Sequence, residues 1–92
     1  MRKYEILYIL DPQEEAYKRA IGDIKNRYEK IGAKLLNENN MGKRRLAYEI
    51  KKKTDGYYYV TQIEVEDIKN LEEFEKDLKH NQDVIRHMKI RL

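Results

Sequence analysis

Gly42–Lys51 has the sequence GKRRLAYEIK, in which three basic residues come directly before an alternating run of apolar residues. Successive side chains of a strand point to opposite faces, so Leu46, Tyr48 and Ile50 are predicted to share one face. The residues between them then lie on the other face. Gly42 lacks a Cβ and suits a bulge or a bend before this run. The segment therefore predicts a cluster of cationic side chains on a half-buried strand.

Positive charge is concentrated around this strand. Residues 34–53 contain seven Lys or Arg and two Glu, whereas the net charge of the whole chain is only +3. A local excess of this kind is the electrostatic footprint expected of a nucleic-acid contact. The pattern also fits a solvated hairpin whose basic side chains serve solubility, and charge alone does not separate the two interpretations.

Length and composition limit what the chain can be. Its 92 residues predict a single domain, residues 1–92, with a small core. The absence of Cys excludes a disulfide framework and a thiolate metal site, and the absence of Ser excludes a serine nucleophile. Without a long apolar run or a signal-peptide pattern, the sequence predicts a soluble, cytosolic protein that does not bind a membrane.

The first half of the chain predicts a strand, a helix and a long second strand. Residues 3–10 carry apolar groups on both faces, which is typical of a central strand. The helix is expected to begin at Asp11, whose side chain would cap it, and to end at Gly32. Residues 33–52 then form the second strand.

The second half predicts a hairpin, a helix and a last strand. Asp55-Gly56 lies between two strand patterns and is a hairpin-turn signal, after which residues 57–65 form the third strand. Asp67 is placed to cap the second helix. Between Glu66 and Asp77 there are six acidic and two basic residues, so this helix is expected to face away from a nucleic acid. The last strand covers residues 84–92.

This order of elements predicts an α+β, ferredoxin-like βαββαβ fold with a four-stranded antiparallel sheet and both helices on one face. The first and third strands would be central. The residues expected to face the helices are Tyr4, Ile6, Tyr8, Leu10, Tyr59, Thr61, Ile63 and Val65. The uncovered face, called the open face below, keeps an apolar patch of Leu7, Ile9, Tyr58 and Val60. This patch is either a surface for a protein partner or ordinary surface apolarity.

The segment Gly56–Val60 resembles the base-stacking motif of RNA recognition modules, which share this topology. Stacking would need Tyr57 and Tyr59 on the open face, and Gln62 and Glu64 would then turn towards the helices. Burying those two polar side chains is the less favourable pattern. Packing in the core or at an edge is therefore the favoured interpretation of most of these tyrosines.

The central motif resembles that of the bacterial small-subunit ribosomal protein six family. The family motif is glycine, any residue, basic, polar, leucine, small, tyrosine, any residue, isoleucine, and a basic or small residue, and residues 42–51 match it. The opening Met1–Ile6 and the closing Asp83–Met88 lie at the distances expected for the family. Met41 and Glu49 differ from the residues often found there, and both are tolerable on a surface strand.

The resemblance implies a structural component of the small ribosomal subunit, found in the cytoplasm on the ribosome, and not an enzyme. Such a protein binds the central domain of small-subunit ribosomal RNA together with small-subunit ribosomal protein eighteen. It needs no cofactor and is monomeric when free. The partner contact is assigned to the open-face patch.

The resemblance also selects the residues expected to contact RNA, which are Arg2, Lys3, Lys43, Arg44, Arg45, Lys79, Arg86 and Arg91. Arg2, Arg44, Arg45 and Arg86 rank first, because a guanidinium can bind a phosphate through two parallel hydrogen bonds. The triple lysine, residues 51–53, remains open between RNA contact and solubility of the hairpin tip.

The alternative is a dimeric, small-molecule-binding or regulatory domain of the same topology, whose open face pairs with another copy. Such a domain has no need to concentrate positive charge at residues 43–45. No catalytic set or metal site is apparent, since His80 and His87 stand alone and are expected at the surface. The carboxylates of the second helix, Glu75 included, are expected to form a solvated face.

Overall fold

Six elements follow one another in the predicted order in the computed structural model, which describes residues 2–92. They are β1 (Arg2–Leu10), α1 (Glu14–Lys30), β2 (Lys34–Ile50), β3 (Lys53–Val65), α2 (Ile68–Leu78) and β4 (Val84–Arg91). All neighbouring strands pair antiparallel in the order β2-β3-β1-β4, so the predicted ferredoxin-like fold with β1 and β3 at the centre is confirmed. Neither helix within residues 2–92 has the length and apolarity needed to cross a membrane.

The core lies between the sheet and the helices. Antiparallel register places Tyr4 opposite Ile63 and Tyr8 opposite Tyr59, so alternate side chains of the two central strands enter the same layer. The helices close this layer with residues spaced three or four apart, which are Ala20, Ile24, Tyr28, Leu71, Phe74 and Leu78. All eight residues predicted to face the helices are buried, which confirms the assignment of the two faces.

The start of α1 differs from the prediction, whereas its end and the start of α2 agree with it. Asp11 caps no helix, because its Oδ1 accepts a hydrogen bond from the backbone N–H of Gln13 at 2.9 Å, in a turn before the helix. Its Oδ2 lies 3.1 Å from Nζ of Lys53. Gly32, with a φ of 74°, follows α1, and Asp67 caps α2 by accepting from the N–H of Lys69 at 2.9 Å.

Lys51 and Lys52, not Asp55 and Gly56, form the β2–β3 turn. Their φ angles are 49° and 65°, and Ile50 pairs with Lys53 across them. Gly56 lies inside β3, where an added Cβ would come within 2.5 Å of Cγ2 of Ile9. The predicted turn at Asp55-Gly56 was wrong because glycine serves close packing here, a use that the local sequence signal does not distinguish from a turn.

The long strand β2 is interrupted at three places in its pairing with β3. The register shifts between Leu35 and Asn37, between Asn40 and Gly42, and between Arg45 and Ile50. Gly42 has a φ of 87° at the second shift, as expected for the predicted bulge. At the third shift, residues 46–49 of β2 lie opposite Thr54 alone. Residues 44–56, called the outer hairpin below, therefore depart from regular pairing and curve over the open face.

Candidate nucleic-acid interface

The eight basic residues predicted to contact RNA are all exposed. Within residues 2–92, none of them forms an ion pair with a carboxylate. Some of the other cations are paired internally: Arg19 binds Asp83 at 2.8 Å, and Arg27 binds Asp23 at 3.0 Å. In particular, no acidic residue of α2 neutralises the motif arginines. The eight side chains are therefore available to an external anion.

These eight residues lie at two ends of the sheet. Five of them are near the end where β1 terminates, namely Lys43, Arg44, Arg45, Lys79 and Arg86; the other three are at the opposite end, namely Arg2, Lys3 and Arg91. Arg86 pairs with Ile9 and Arg91 with Tyr4, and the length of β1 separates Arg2 from Ile9 by roughly 20 Å at about 3.3 Å per residue. An RNA that touches all eight must span that distance.

The two motif arginines point to opposite faces of the outer hairpin. Arg44 pairs with Gly56, on the open-face side, whereas Arg45 pairs with Asp55 on the other side. Lys43 lies on the same side as Arg45, close to the start of α1. Its charge contributes, after that of Lys18, to lowering the pKa of Glu14. The predicted cationic cluster is thus a band around the hairpin and not a patch on one face.

Arg86 is connected to the outer hairpin. Its Nη1 donates a hydrogen bond to the hydroxyl of Tyr48 at 2.9 Å, although Tyr48 remains 63% exposed. Leu46 is buried and Ile50 packs beside it, so the face predicted for these three residues is confirmed for the two aliphatic ones. Within residues 2–92, the other N–H donors of the Arg86 guanidinium make no hydrogen bond or ion pair, so they can bind a phosphate.

Ile9 is not part of a free surface. It is only 8% exposed, because Leu46 and Ile85 of the same chain cover it and Tyr58 and Ile50 pack alongside. The expectation that Ile9 belongs to an exposed patch was therefore wrong. The cover comes from the curvature of the outer hairpin, which depends on the register shift after Arg45 and has no signature in the sequence.

The remaining apolar surface of the open face extends over three strands. Leu7 pairs with Val60 on one side and with Met88 on the other, and Leu7 and Val60 are half-buried. Met88 and Ile90 are 48% and 51% exposed. Sequence analysis missed these two residues, although the alternation of Met88 and Ile90 with charged neighbours would have placed them on the same face.

Tyr57 and Tyr59, the two tyrosines that base stacking would need on the open face, instead face the helices. Tyr59 is fully buried, and its hydroxyl donates to Oε2 of Glu38 at 2.6 Å. The ring of Tyr57 stacks on that of Tyr17 in α1, with 3.8 Å between centroids and an angle of 5°. Neither ring is presented on the open face, so the interpretation of these tyrosines as packing residues is confirmed.

Glu75 and His87 are half-buried between α2 and β4. Oε1 of Glu75 lies 2.9 Å from Nζ of Lys89, and its Oε2 lies 4.0 Å from Nε2 of His87. Burial lowers the pKa of His87 against the opposing effect of the Glu75 carboxylate. The predictions of a surface His87 and a solvated Glu75 were wrong, because the packing of α2 on the sheet turns both side chains inwards.

Comparison with known proteins agrees with this architecture. The sequence profile of the family described as ribosomal protein S6 matches residues 3–91. The crystal structure of 30S ribosomal protein S6 from Thermotoga maritima is similar, with a TM-score of 0.88, 32% identity, and coverage of 99% of this chain and 87% of that one. The solution structure of the C-terminal domain of MgtC from Mycobacterium tuberculosis has a TM-score of 0.68 at 12% identity, with coverage of 100% and 88%. This second likeness concerns the fold alone.

Proposed function

The chain belongs to the ribosomal protein S6 family and is a small-subunit ribosomal protein, and we propose that it binds the central domain of small-subunit ribosomal RNA together with small-subunit ribosomal protein eighteen. Its role is structural: it holds a folded RNA junction in the cytoplasmic ribosome and makes or breaks no covalent bond. The observation that carries the proposal is the set of eight exposed basic side chains that have no carboxylate partner within residues 2–92.

The arrangement of cations suits a folded RNA better than a single helical surface. Arg44 and Arg45 project from opposite sides of one hairpin, so the hairpin can meet two phosphate backbones at once. Phosphate contacts of this type position a protein on an RNA shape and do not read bases. A junction, where backbones converge, offers phosphates on both sides of an inserted hairpin.

The proposed surface for the protein partner is the open face. Leu7 and Val60 lie at its centre, the half-buried Tyr58 borders it, and the exposed Met88 and Ile90 extend it over β4. Burial of this surface by a partner would remove apolar area from water, which favours association. The chain alone is expected to be monomeric.

Replacing Arg44 and Arg45 with Glu is expected to weaken binding to a central-domain RNA fragment in the presence of protein eighteen. Each lost phosphate contact corresponds to roughly a 5–8-fold loss of affinity at 0.1 M salt, given a log–log salt slope of about 0.7–0.9 per phosphate. The expected loss is therefore at least tenfold, with a smaller salt slope. Filter binding or fluorescence anisotropy at several salt concentrations measures both quantities.

The matched control is Lys69→Glu with Lys76→Glu, which makes the same change of charge at exposed positions of the acidic helix α2. It should leave RNA affinity within about threefold of wild type, and neither double variant should unfold the domain. Unchanged affinity of the Arg44→Glu, Arg45→Glu variant would exclude these arginines from the site. A stable homodimer in sedimentation that binds no RNA would instead favour the dimeric regulatory domain.

A further inference from the structure

Lys51 and Lys52 occupy a turn that favours other residues. Both have positive φ, 49° and 65°. A two-residue hairpin turn with positive φ at both positions strongly favours Asn-Gly or Asp-Gly, because the Cβ of an ordinary L-residue crowds the backbone there. Non-glycine residues held in this region are found preferentially at functional sites. Two adjacent lysines at such a turn therefore indicate that the side chains are needed at that place.

The residues on both sides of the turn are anchored. Ile50 packs against the cluster of Ile9, Leu46 and Ile85. On the other side, Nζ of Lys53 lies 3.1 Å from Oδ2 of Asp11, whose side chain is 14% exposed. The tip is thus held between an apolar contact and an ion pair. A tip fixed in this way loses less conformational freedom on binding than a free loop would.

The three consecutive lysines consequently differ in availability. Lys53 is engaged by Asp11, whereas Lys51 and Lys52 are exposed and have no carboxylate partner within residues 2–92. Solubility alone would be served equally well by lysines placed at unstrained positions. The ion pair of Lys53 therefore has a structural role, and the two residues of the turn are left for an external partner.

The charge around the tip favours a polyanion. Residues 43–53 contain six Lys or Arg and one Glu. On the open-face side, the strand that leads to the tip carries Arg44. Tyr48 of the same strand accepts a hydrogen bond from Arg86. Lysine ammonium groups bind phosphate as mobile point charges and need no fixed bidentate geometry. The tip therefore continues the band of positive charge outwards, in the direction in which the outer hairpin extends beyond the end of β1.

We infer that Lys51 and Lys52 form an additional phosphate-binding site for RNA at the tip of the outer hairpin. This inference rests on the proposed function and adds two residues beyond the eight predicted ones. The turn lies further out along the hairpin than Arg44 and Arg45, so its two ammonium groups can reach RNA phosphates that these arginines do not.

Two variants of the full chain separate charge from backbone strain. Lys51→Asn with Lys52→Gly removes both, and its thermal midpoint is expected to rise by about 4–8 °C. Lys51→Gln with Lys52→Gln removes the charges alone, and its midpoint should stay at the wild-type value. Both variants should lose roughly 5–8-fold in RNA affinity at 0.1 M salt for each phosphate contact removed, and the salt slope should fall by about 0.7–0.9 per contact. A gain in stability combined with a loss of binding is the signature of residues retained for function.

The control for total charge is Lys69→Gln with Lys76→Gln on α2, which should bind RNA as wild type does. Wild-type affinity of both tip variants would overturn the inference, and the proposed function would still stand if Arg44→Glu with Arg45→Glu lost binding in the same assay. Loss of affinity for protein eighteen in the absence of RNA, with normal RNA binding, would also overturn it and assign the tip to the protein partner. If the wild-type chain binds no central-domain RNA, the proposed function and this inference fail together.

Discussion

Three buried hydroxyl groups lie close together in the core, and the middle one forms a hydrogen bond with each of the other two. The hydroxyl of Tyr28 lies 2.5 Å from that of Tyr8 and 2.7 Å from that of Thr61. Burial raises the pKa of Tyr28 to about 12, so the group remains a neutral hydrogen-bonding partner over the physiological range. Thr61 is fully buried at an inward position of β3, where an unpaired hydroxyl would be unfavourable. Tyr28 of α1 thus supplies a hydrogen-bond partner to both Tyr8 and Thr61, so these two polar groups can be buried in an apolar layer.

Tyr28→Phe is expected to reduce the free energy of unfolding by about 1–3 kcal/mol, because it removes the hydroxyl that hydrogen-bonds those of Tyr8 and Thr61 in the buried layer. Replacing all three groups, through Tyr8→Phe, Tyr28→Phe and Thr61→Val, should cost less than the single change, since no unpaired hydroxyl remains. Urea denaturation of the two variants and wild type measures this. A triple variant clearly less stable than Tyr28→Phe would contradict the argument.

The outer hairpin is the element that differs most from a regular ferredoxin-like sheet. β1 ends at Leu10, which pairs with Tyr57, so no third strand of residues 2–92 lies beside residues 44–56. An isolated two-stranded ribbon is marginally stable in water. Here Leu46 and Ile50 pack on Ile9 and Ile85, and this contact stabilises the hairpin. The same contact also holds in place the part of the hairpin that carries Arg44, Arg45 and the Lys51–Lys52 turn.

Gly56→Ala is expected to destabilise the protein by about 1–3 kcal/mol, because the new Cβ would meet Cγ2 of Ile9 at 2.5 Å. Ile9→Ala removes that atom and should make the same glycine substitution much less costly. A double-mutant cycle by chemical denaturation measures the coupling between the two positions. Equal costs of Gly56→Ala in both backgrounds would show that the close approach does not limit the residue at this position.

On the scale of the whole molecule, α2 carries an excess of acidic residues and the outer hairpin an excess of basic ones. The acidic residues of α2 lie on the helix layer, whereas the cationic outer hairpin extends past the end of β1. The helix layer and the sheet also meet in a contact between α2 and β4 that contains a titratable side chain. There Glu75 faces His87 and Lys89, and Lys79 is the further charge that acts on His87.

The stability of the domain is expected to fall as the pH is lowered from about 7.5 to 5.5. Burial lowers the pKa of His87 below its usual value of 6.5, so the unfolded chain takes up this proton first. The stabilisation that neutral His87 contributes is fully present above the pKa that this residue has in the unfolded chain. It is lost as the pH falls towards the lower pKa that His87 has in the folded protein. His87→Gln should flatten the profile measured by denaturant unfolding.

His80→Gln is the matched control for this profile, because His80 is exposed. This variant should retain the pH dependence of the wild type. A wild-type stability that is constant or rises towards pH 5.5 would show that the Glu75 carboxylate outweighs the effect of burial on His87.

The sequence by itself determined the order of the elements, the strand faces that enter the core, the cap at Asp67 and the exposure of the eight basic residues. These features depend on neighbours along the chain: alternation or helical spacing selects the buried face, and the cost of desolvating an unpaired charge keeps Lys and Arg outside. The contacts of those eight residues with RNA, and of the open face with a protein, remain predictions.

Only the tertiary structure decided where the hairpin turns, what covers Ile9, how the motif arginines divide between two faces, and why Glu75 and His87 are half-buried. Each of these depends on residues that are distant in the chain and close in space. Gly56 is required by Ile9 of another strand, and the lysine turn becomes the tip because register shifts move the pairing of β2. Local patterns carry no information about such contacts, since they arise only when separate elements pack together.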